Sequence, residues 1–294
     1  MLKALGVLGS VAALCLLGYG ALFVLSERAL RDYDPPAPFQ AAISTDSATL
    51  EHGRHVARTR GCFGCHGQQL EGQDFSGVWP WVKRGVAPNL AAVARSTDVE
   101  ALEAAIRHGV GRDGRALWSM PSYNYRHLSD EDLVALIAFL RSAPVVEKEL
   151  PRPSLGWRAR WALVRGTESH LAQWASEVPD LLVDPDDDPG LARGEYLAMT
   201  TCNECHGLDL RGGGDVDIAP PDLVIVAGYP WEAFVRLMKE GVSASGRDDL
   251  GLMTTVARDR FASFTDEELR DLHAFLQSLP SRPKAEGVFW RPEM

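Results

Sequence analysis

The sequence predicts an all-α protein: one N-terminal transmembrane helix, then two helical domains of matching order joined by a helical connector. Three observations carry this expectation. Ala4 to Leu25 is a nearly continuous apolar run without an internal charge; at about 22 residues it is long enough to cross a hydrocarbon core of about 30 Å as a helix. The pentapeptide Cys62-Phe63-Gly64-Cys65-His66 returns as Cys202-Asn203-Glu204-Cys205-His206. Around each copy the chain follows one order: helix, Cys-x-x-Cys-His, glycine-punctuated loop, Pro-x-Leu, helix, methionine loop, capped helix, proline. That is the mark of an internal duplication.

The anchor occupies residues 1–28. A cleaved signal peptide is the competing reading, with Gly18-Tyr19-Gly20 as its small-x-small site. The apolar run continues past that site, so length and flanks favour an uncleaved helix. Lys3 precedes the run and Arg28 and Arg31 follow it, a charge count that opposes an amino-terminus-inside topology. Residues 29–48 contain Asp34-Pro35-Pro36-Ala37-Pro38, a stiff extended spacer.

The first domain, residues 49–146, opens with a helical pattern through Leu50, His55, Val56 and Thr59 that leads into Gly61-Cys62. Asp98 caps a helix with Leu102, Ala105 and Ile106 inward, stopped by Gly109. Ser129 caps another, with acidic residues in its first turn and Leu133, Leu136, Ile137 and Leu140 on its apolar face. Residues 147–187 form the connector, where Leu155 to Ala175 reads as one amphipathic helix through Trp157, Trp161, Val164, Leu171 and Trp174, with Arg158, Arg160 and Arg165 interleaved. Packing between or against the domains is preferred for it over lying on a bilayer surface. The acidic linker Asp184-Pro185-Asp186-Asp187-Asp188 lacks the ligand spacing of a calcium loop. The second domain, residues 188–282, repeats the pattern with helices over Leu191–Thr201 and Trp231–Glu240 and a last helix opened by Thr265. Residues 283–294 are a tail.

Lys and Arg number 30 against 40 Asp and Glu, a net charge of −10, so no nucleic-acid partner is expected; partners with basic docking faces are favoured instead. Of five cysteines, the motifs use four. Cys15 stands alone in the apolar run, and no pair remains for a disulfide. Cys-x-x-Cys-His is the pattern of covalent c-type haem attachment. Thiols three apart share one side of a turn and can both reach the vinyl groups of one porphyrin, while the adjacent histidine offers a ring nitrogen to the iron. A zinc site would need further Cys or His at close spacing, and a thioredoxin-like pair would not need the following His twice. The expected cofactors are therefore two covalently bound haem c, attached at Cys62, Cys65, Cys202 and Cys205, with His66 and His206 on the irons.

Each half resembles a class I cytochrome c domain, and the whole resembles the membrane-anchored dihaem c-type cytochromes of bacterial respiratory chains. The resemblance covers about residues 49–145 and 188–279. It implies that a proline carbonyl accepts the second ring N–H of each histidine, at Pro88 and Pro221. It also implies a methionine as sixth iron ligand. Met120, followed by Pro121 and ahead of the last helix of its half, holds that place. In the second half Met253 lies in the equivalent loop, although Thr254 replaces the proline and the run to the final helix is longer. Met238 is read as a buried helix face. His108, His127 and His273 are the alternatives for bis-histidine ligation, with His127 the first to test. Gly64 and Gly67 let backbone approach the ring, and Trp79 and Trp81 wall its edge.

Iron with His and Met ligands is a six-coordinate, high-potential carrier, whereas an open position permits catalysis. The resemblance thus implies a single-electron relay rather than an enzyme, between a quinol-oxidising complex or periplasmic dehydrogenase and a cytochrome or terminal oxidase. A dihaem peroxidase is the competing class, and a fixed cytochrome subunit of a larger oxidoreductase complex is a third reading. It also implies a single-pass protein of the bacterial inner membrane with its haem domains in the periplasm.

Overall fold

A computed structural model describes residues 2–76, 83–213 and 220–282. The first helix, α1 (Leu2–Ala29), contains a 23-residue stretch, Val7–Ala29, of mean hydropathy 2.2, and no residue from Val7 to Leu25 is buried in the protein. It is apolar all round, as both a membrane anchor and a signal segment are. Its last turn is docked on the body. Ser26 and Leu30 are fully buried, and the Ala116 N–H donates to the Leu30 carbonyl at 2.7 Å. The proline spacer then runs without helix or strand.

The first half contains α2 (Ser47–Thr59), α3 (Cys62–His66), α4 (Leu90–Ser96), α5 (Val99–His108) and α6 (Asp130–Ser142). Asp46, Asn89, Asp98 and Ser129 cap four of these by accepting a bond from a first-turn N–H, and Gly109 ends α5 in the left-handed region. Two features lie outside the helical periodicity. A two-residue antiparallel ribbon, β1 (Gln73–Asp74) against β2 (Val86–Ala87), closes the glycine-punctuated loop. The seven-residue α4 is too short to show a period, and Asn89, inside Pro-Asn-Leu, is its cap.

The connector is two helices, not one. α7 (Trp157–Arg165) stops at Gly166, which adopts φ +66°, and α8 (Leu171–Ser176) starts afresh with His170 as its cap. The amphipathic repeat hides this break because one left-handed glycine redirects the axis without disturbing the spacing of apolar residues. The second half contains α9 (Pro189–Thr201), α10 (Asn203–His206), α11 (Trp231–Glu240), α12 (Leu252–Asp259) and α13 (Asp266–Ser278). A full capping box between Thr265 and Glu268 starts α13.

The halves share one helix crossing, α2 on α6 and α9 on α13, and in each a glycine sets the approach. A β-carbon on Gly53 would lie 1.9 Å from the Ala135 carbonyl oxygen and 2.8 Å from Phe139 Cβ. One on Gly194 would lie 2.1 Å from the Asp271 carbonyl oxygen and 2.7 Å from Phe275 Cβ. Gly→Ala in a helix ordinarily gains about 1 kcal/mol, but overpacking against backbone costs about 1–3 kcal/mol or more, so the clash wins. Gly53→Ala and Gly194→Ala should each lower the thermal midpoint of the half that carries it. An unchanged melting curve would mean that the helices do not cross this closely.

Tyr196 of α9 joins the halves, packing against both cores. Its hydroxyl donates to the Asp132 carboxylate of α6. The Arg60 guanidinium lies 5.4 Å from its ring centroid and donates to the same carboxylate at 3.3 Å. Nearby, His55 Nε2 lies 2.8 Å from Glu268 Oε1.

Candidate functional site

Each pentapeptide closes as a short helix at the end of the long first helix of its half, and the next turn is the same in both. Leu70 and Leu210 are buried with φ of +60° and +61°, a conformation that branched side chains adopt only when the surroundings impose it. The Gly72 N–H donates to the His66 carbonyl at 2.7 Å, and the Gly212 N–H to the His206 carbonyl at 2.8 Å. Leu70 and Leu210 in turn accept from the N–H groups of Leu90 and Leu223, at 2.9 and 3.0 Å. The pattern Cys-His-Gly-x-x-Leu-x-Gly carries this turn, and its last glycine is required by a close approach. A β-carbon on Gly72 would lie 2.7 Å from the Ala87 carbonyl oxygen, and one on Gly212 2.2 Å from that of Pro220.

That approach brings the Pro-x-Leu strand under the imidazole. His66 Nδ1 lies 2.8 Å from the Pro88 carbonyl oxygen, and His206 Nδ1 lies 2.8 Å from that of Pro221. A ring that donates from Nδ1 presents the lone pair of Nε2, the form a metal takes. Burial also holds the His66 imidazole below its ordinary pKa, although the Pro88 bond pulls the other way. The ring is thus neutral near pH 7. All four thiols are unbridged. Burial pushes Cys62 up to about 11 and raises Cys202, with Arg260 opposing both shifts. Burial raises Cys65 as well, and the Glu204 carboxylate adds to it.

The two motifs therefore sit in one electrostatic neighbourhood, and Arg260 is its centre. From the turn after α12 its Nε donates to the Thr59 carbonyl at 2.5 Å and its Nη1 to Glu204 Oε2 at 2.9 Å. Gly61, at φ +81°, leaves room for this guanidinium; a β-carbon there would lie 2.9 Å from Nη1. Sequence reading passes over Arg260, Gly61 and Tyr196, because nothing local marks a residue whose partner lies in the other half.

Of the sixth-ligand candidates, Met120 lies in an irregular segment, half-buried and packed against the first core. Met253 is also half-buried, on the second core, but it stands in the first turn of α12 instead of a loop. Thr254 starts that helix by accepting the Leu250 N–H at 2.9 Å and donating toward the Gly241 and Asp248 carbonyls. Met238 is buried in the second core. His108 lies 3.0 Å from Glu103, His127 2.7 Å from the Pro179 carbonyl and His273 2.9 Å from the Tyr229 carbonyl, so each is engaged away from the motifs. Trp79 and Trp81 lie outside the described residues.

The donor set fits haem c: two thiols on one turn and a carbonyl-oriented histidine, in each half. Further polar capacity is left inside the protein. Asn203, between the thiols of the second motif, and Asn124 are both fully buried, with neither side-chain amide atom hydrogen-bonded among the described residues. Buried amides of this kind call for a polar group or water beside them.

The family described as cytochrome C oxidase, cbb3-type, subunit III matches residues 48–140, and the family described as cytochrome c matches residues 191–280. Among curated proteins, the chain is 28% identical over 280 residues to the alcohol dehydrogenase (quinone) cytochrome c subunit of Komagataeibacter europaeus, covering 83% of this chain and 58% of that one. It is 25% identical over 291 residues to the gluconate 2-dehydrogenase cytochrome c subunit of Pantoea cypripedii, covering 85% and 64%. A diheme cytochrome c-type protein of Cereibacter sphaeroides is 26% identical over 202 residues, covering 61% and 65%. The chain thus spans less than two thirds of the length of these relatives. With a matched domain around each cysteine pair, the protein carries two cytochrome c domains, and the two Cys-x-x-Cys-His motifs imply two haem c groups.

Proposed function

We propose that this protein is the membrane-held cytochrome subunit of a dehydrogenase complex, passing single electrons from a catalytic partner to a cytochrome or terminal oxidase. The supporting observation is the shared neighbourhood of the two motifs, bridged by Arg260 and Glu204: electrons entering one half are delivered beside the other within one chain. Haem c supplies a one-electron ferric–ferrous couple. The residues of the chain hold and tune it. Cys62, Cys65, Cys202 and Cys205 would form the thioethers and His66 and His206 would hold the iron through Nε2, while the carbonyls of Pro88 and Pro221 fix the tautomer of each ring and raise its basicity. Met120 and Met253 would supply the sixth ligand of each haem.

The curated relatives named as subunits of alcohol and gluconate dehydrogenases favour a fixed subunit over a free carrier. α1 serves as an uncleaved anchor with the haem domains periplasmic, a reading supported by the burial of Ser26 and Leu30 at its end. The test is detergent extraction of native membranes, then native electrophoresis with haem staining and mass spectrometry of the stained band. The haem band should migrate with a dehydrogenase subunit and become reduced when that enzyme's substrate is added. A haem band that runs as the lone chain would overturn the subunit reading. A high-spin ferric signal with peroxide turnover would overturn the carrier reading.

A further inference from the structure

We propose that α7 is a second membrane contact. Its Trp157–Trp161 face lies in the interfacial layer of the leaflet from which α1 emerges, and the neighbouring arginines meet the headgroups of anionic phospholipid. The proposal rests on the reading of α1 as an anchor.

The two sides of α7 are unlike. Trp157, Trp161 and Arg165 recur at i, i+4 and i+8, which makes one stripe of a helix, with Arg158 beside it. Trp157 and Trp161 are 60% and 51% exposed, and an arginine accompanies each ring, Arg158 at 5.5 Å and Arg165 at 5.9 Å from the centroid. The opposite side is committed to the protein. Ala159 packs with Leu30 and Leu155. Arg160 is buried, lies 4.2 Å from the Phe23 centroid, and donates to Ser26 Oγ at 2.7 Å and to Glu27 Oε1 at 3.0 Å.

These contacts fix the height of α7 along α1. Phe23, Ser26 and Glu27 belong to the last two turns of the apolar stretch Val7–Ala29, where a spanning helix passes from hydrocarbon to headgroups. Tryptophan and arginine partition to that level. In water, two tryptophans on one face of a short helix would be an unpartnered apolar patch. The charge agrees with the placement. The chain carries −10 overall, yet Trp157–Arg165 holds three arginines and no acid. An open groove of about 600 Å³ separates the ends of the two helices, with Leu25, Leu163 and Val164 on its apolar wall and three arginines, Arg28, Arg31 and Arg165, against one acid, Asp32, on its rim. Apolar wall and basic rim match the acyl and phosphate portions of a phospholipid. This contact is proposed in place of the preference, drawn from periodicity, for a connector helix packed between or against the domains.

The test uses the full haem-loaded chain in vesicles of phosphatidylcholine, alone or with roughly a third phosphatidylglycerol. In a Cys15→Ser background, nitroxides are placed through Trp161→Cys, through Leu17→Cys in α1, and through Leu182→Cys, an exposed site beyond α8. Collisions with oxygen report lipid and collisions with a nickel chelate report water. Position 161 should favour oxygen, position 17 more strongly, and position 182 should favour nickel. Position 161 should lie deeper with phosphatidylglycerol present, and Arg158→Gln with Arg165→Gln should abolish that difference. If position 161 is as wet as 182 while 17 is lipidic, α7 covers something other than lipid and the proposal fails. Equal depth in both vesicles overturns the anionic-headgroup contact. A wet position 17, or release of the chain by alkaline carbonate, shows that the anchor reading has failed and this proposal with it.

Discussion

Met120→Ala should lower the midpoint potential of one haem, and Met253→Ala that of the other, each by on the order of 0.1 V or more, because axial ligands set haem potential over about 0.8 V. A thioether is a weak donor that favours the ferrous iron, so losing it stabilises the ferric state. Each variant should also show a high-spin ferric signal at one haem. The magnitude exceeds any expected from packing alone, since both side chains are only half-buried and truncating them removes little core. A redox titration of each single variant, read together with its visible spectrum, separates the two haems. Met253→Ala is the more demanding case, because its position in the first turn of α12 depends on the Thr254 bonds to Leu250 and Gly241. If Met253→Ala leaves both spectra as they were, the sixth ligand of the second haem is another group.

Arg260→Gln should lower both potentials, and Glu204→Gln should raise them. The Arg260 side chain keeps only 12% exposure, and its charge reaches cysteines of both motifs. A fixed positive charge opposes the ferric state, which carries one more positive charge than the ferrous. At roughly 10 Å and an effective dielectric of about 20, two unit charges interact by about 1.7 kcal/mol. That is on the order of 70 mV for a one-electron couple. Arg260→Gln removes the cation and leaves the Glu204 carboxylate uncompensated, so both changes act in one direction. Glu204→Gln leaves the guanidinium alone and reverses the sign, with a smaller effect because Glu204 keeps 32% side-chain exposure and water screens it. Opposite signs in the two variants are the diagnostic result. A purely structural bridge would instead have Arg260→Gln and Glu204→Gln shift the potentials in the same direction, or neither shift them.

Much of the fold is legible in the chain because its signals are local. Asp98, Ser129 and Thr265 announce helix starts through a carboxylate or hydroxyl three residues from the N–H it accepts. Gly109 and Gly241 announce stops by entering the left-handed region. The elements that escape are those whose cause lies elsewhere. α4 and α12 are short, α12 forms where Thr254 meets the Gly241 carbonyl, and the break at Gly166 leaves the apolar spacing intact. The β1–β2 ribbon depends on the approach of Gly72 to the strand before Pro88, which no periodicity contains.

The chemistry divides in the same way. Two thiols and a histidine within five residues are brought together by a single helical turn, so the sequence alone determined that haem is bound twice, by a domain that occurs twice. Which side chains surround each motif is a long-range matter. Arg260 meets Thr59 across 201 positions, Tyr196 meets Asp132 across 64, and Arg160 meets Ser26 across 134. Only the tertiary structure decided that one guanidinium lies between both motifs, and that two tryptophans stand uncovered beside the end of α1. Local backbone geometry dictates the first kind of proximity, whereas the second exists only after the packing of helix faces has closed hundreds of bonds of intervening chain.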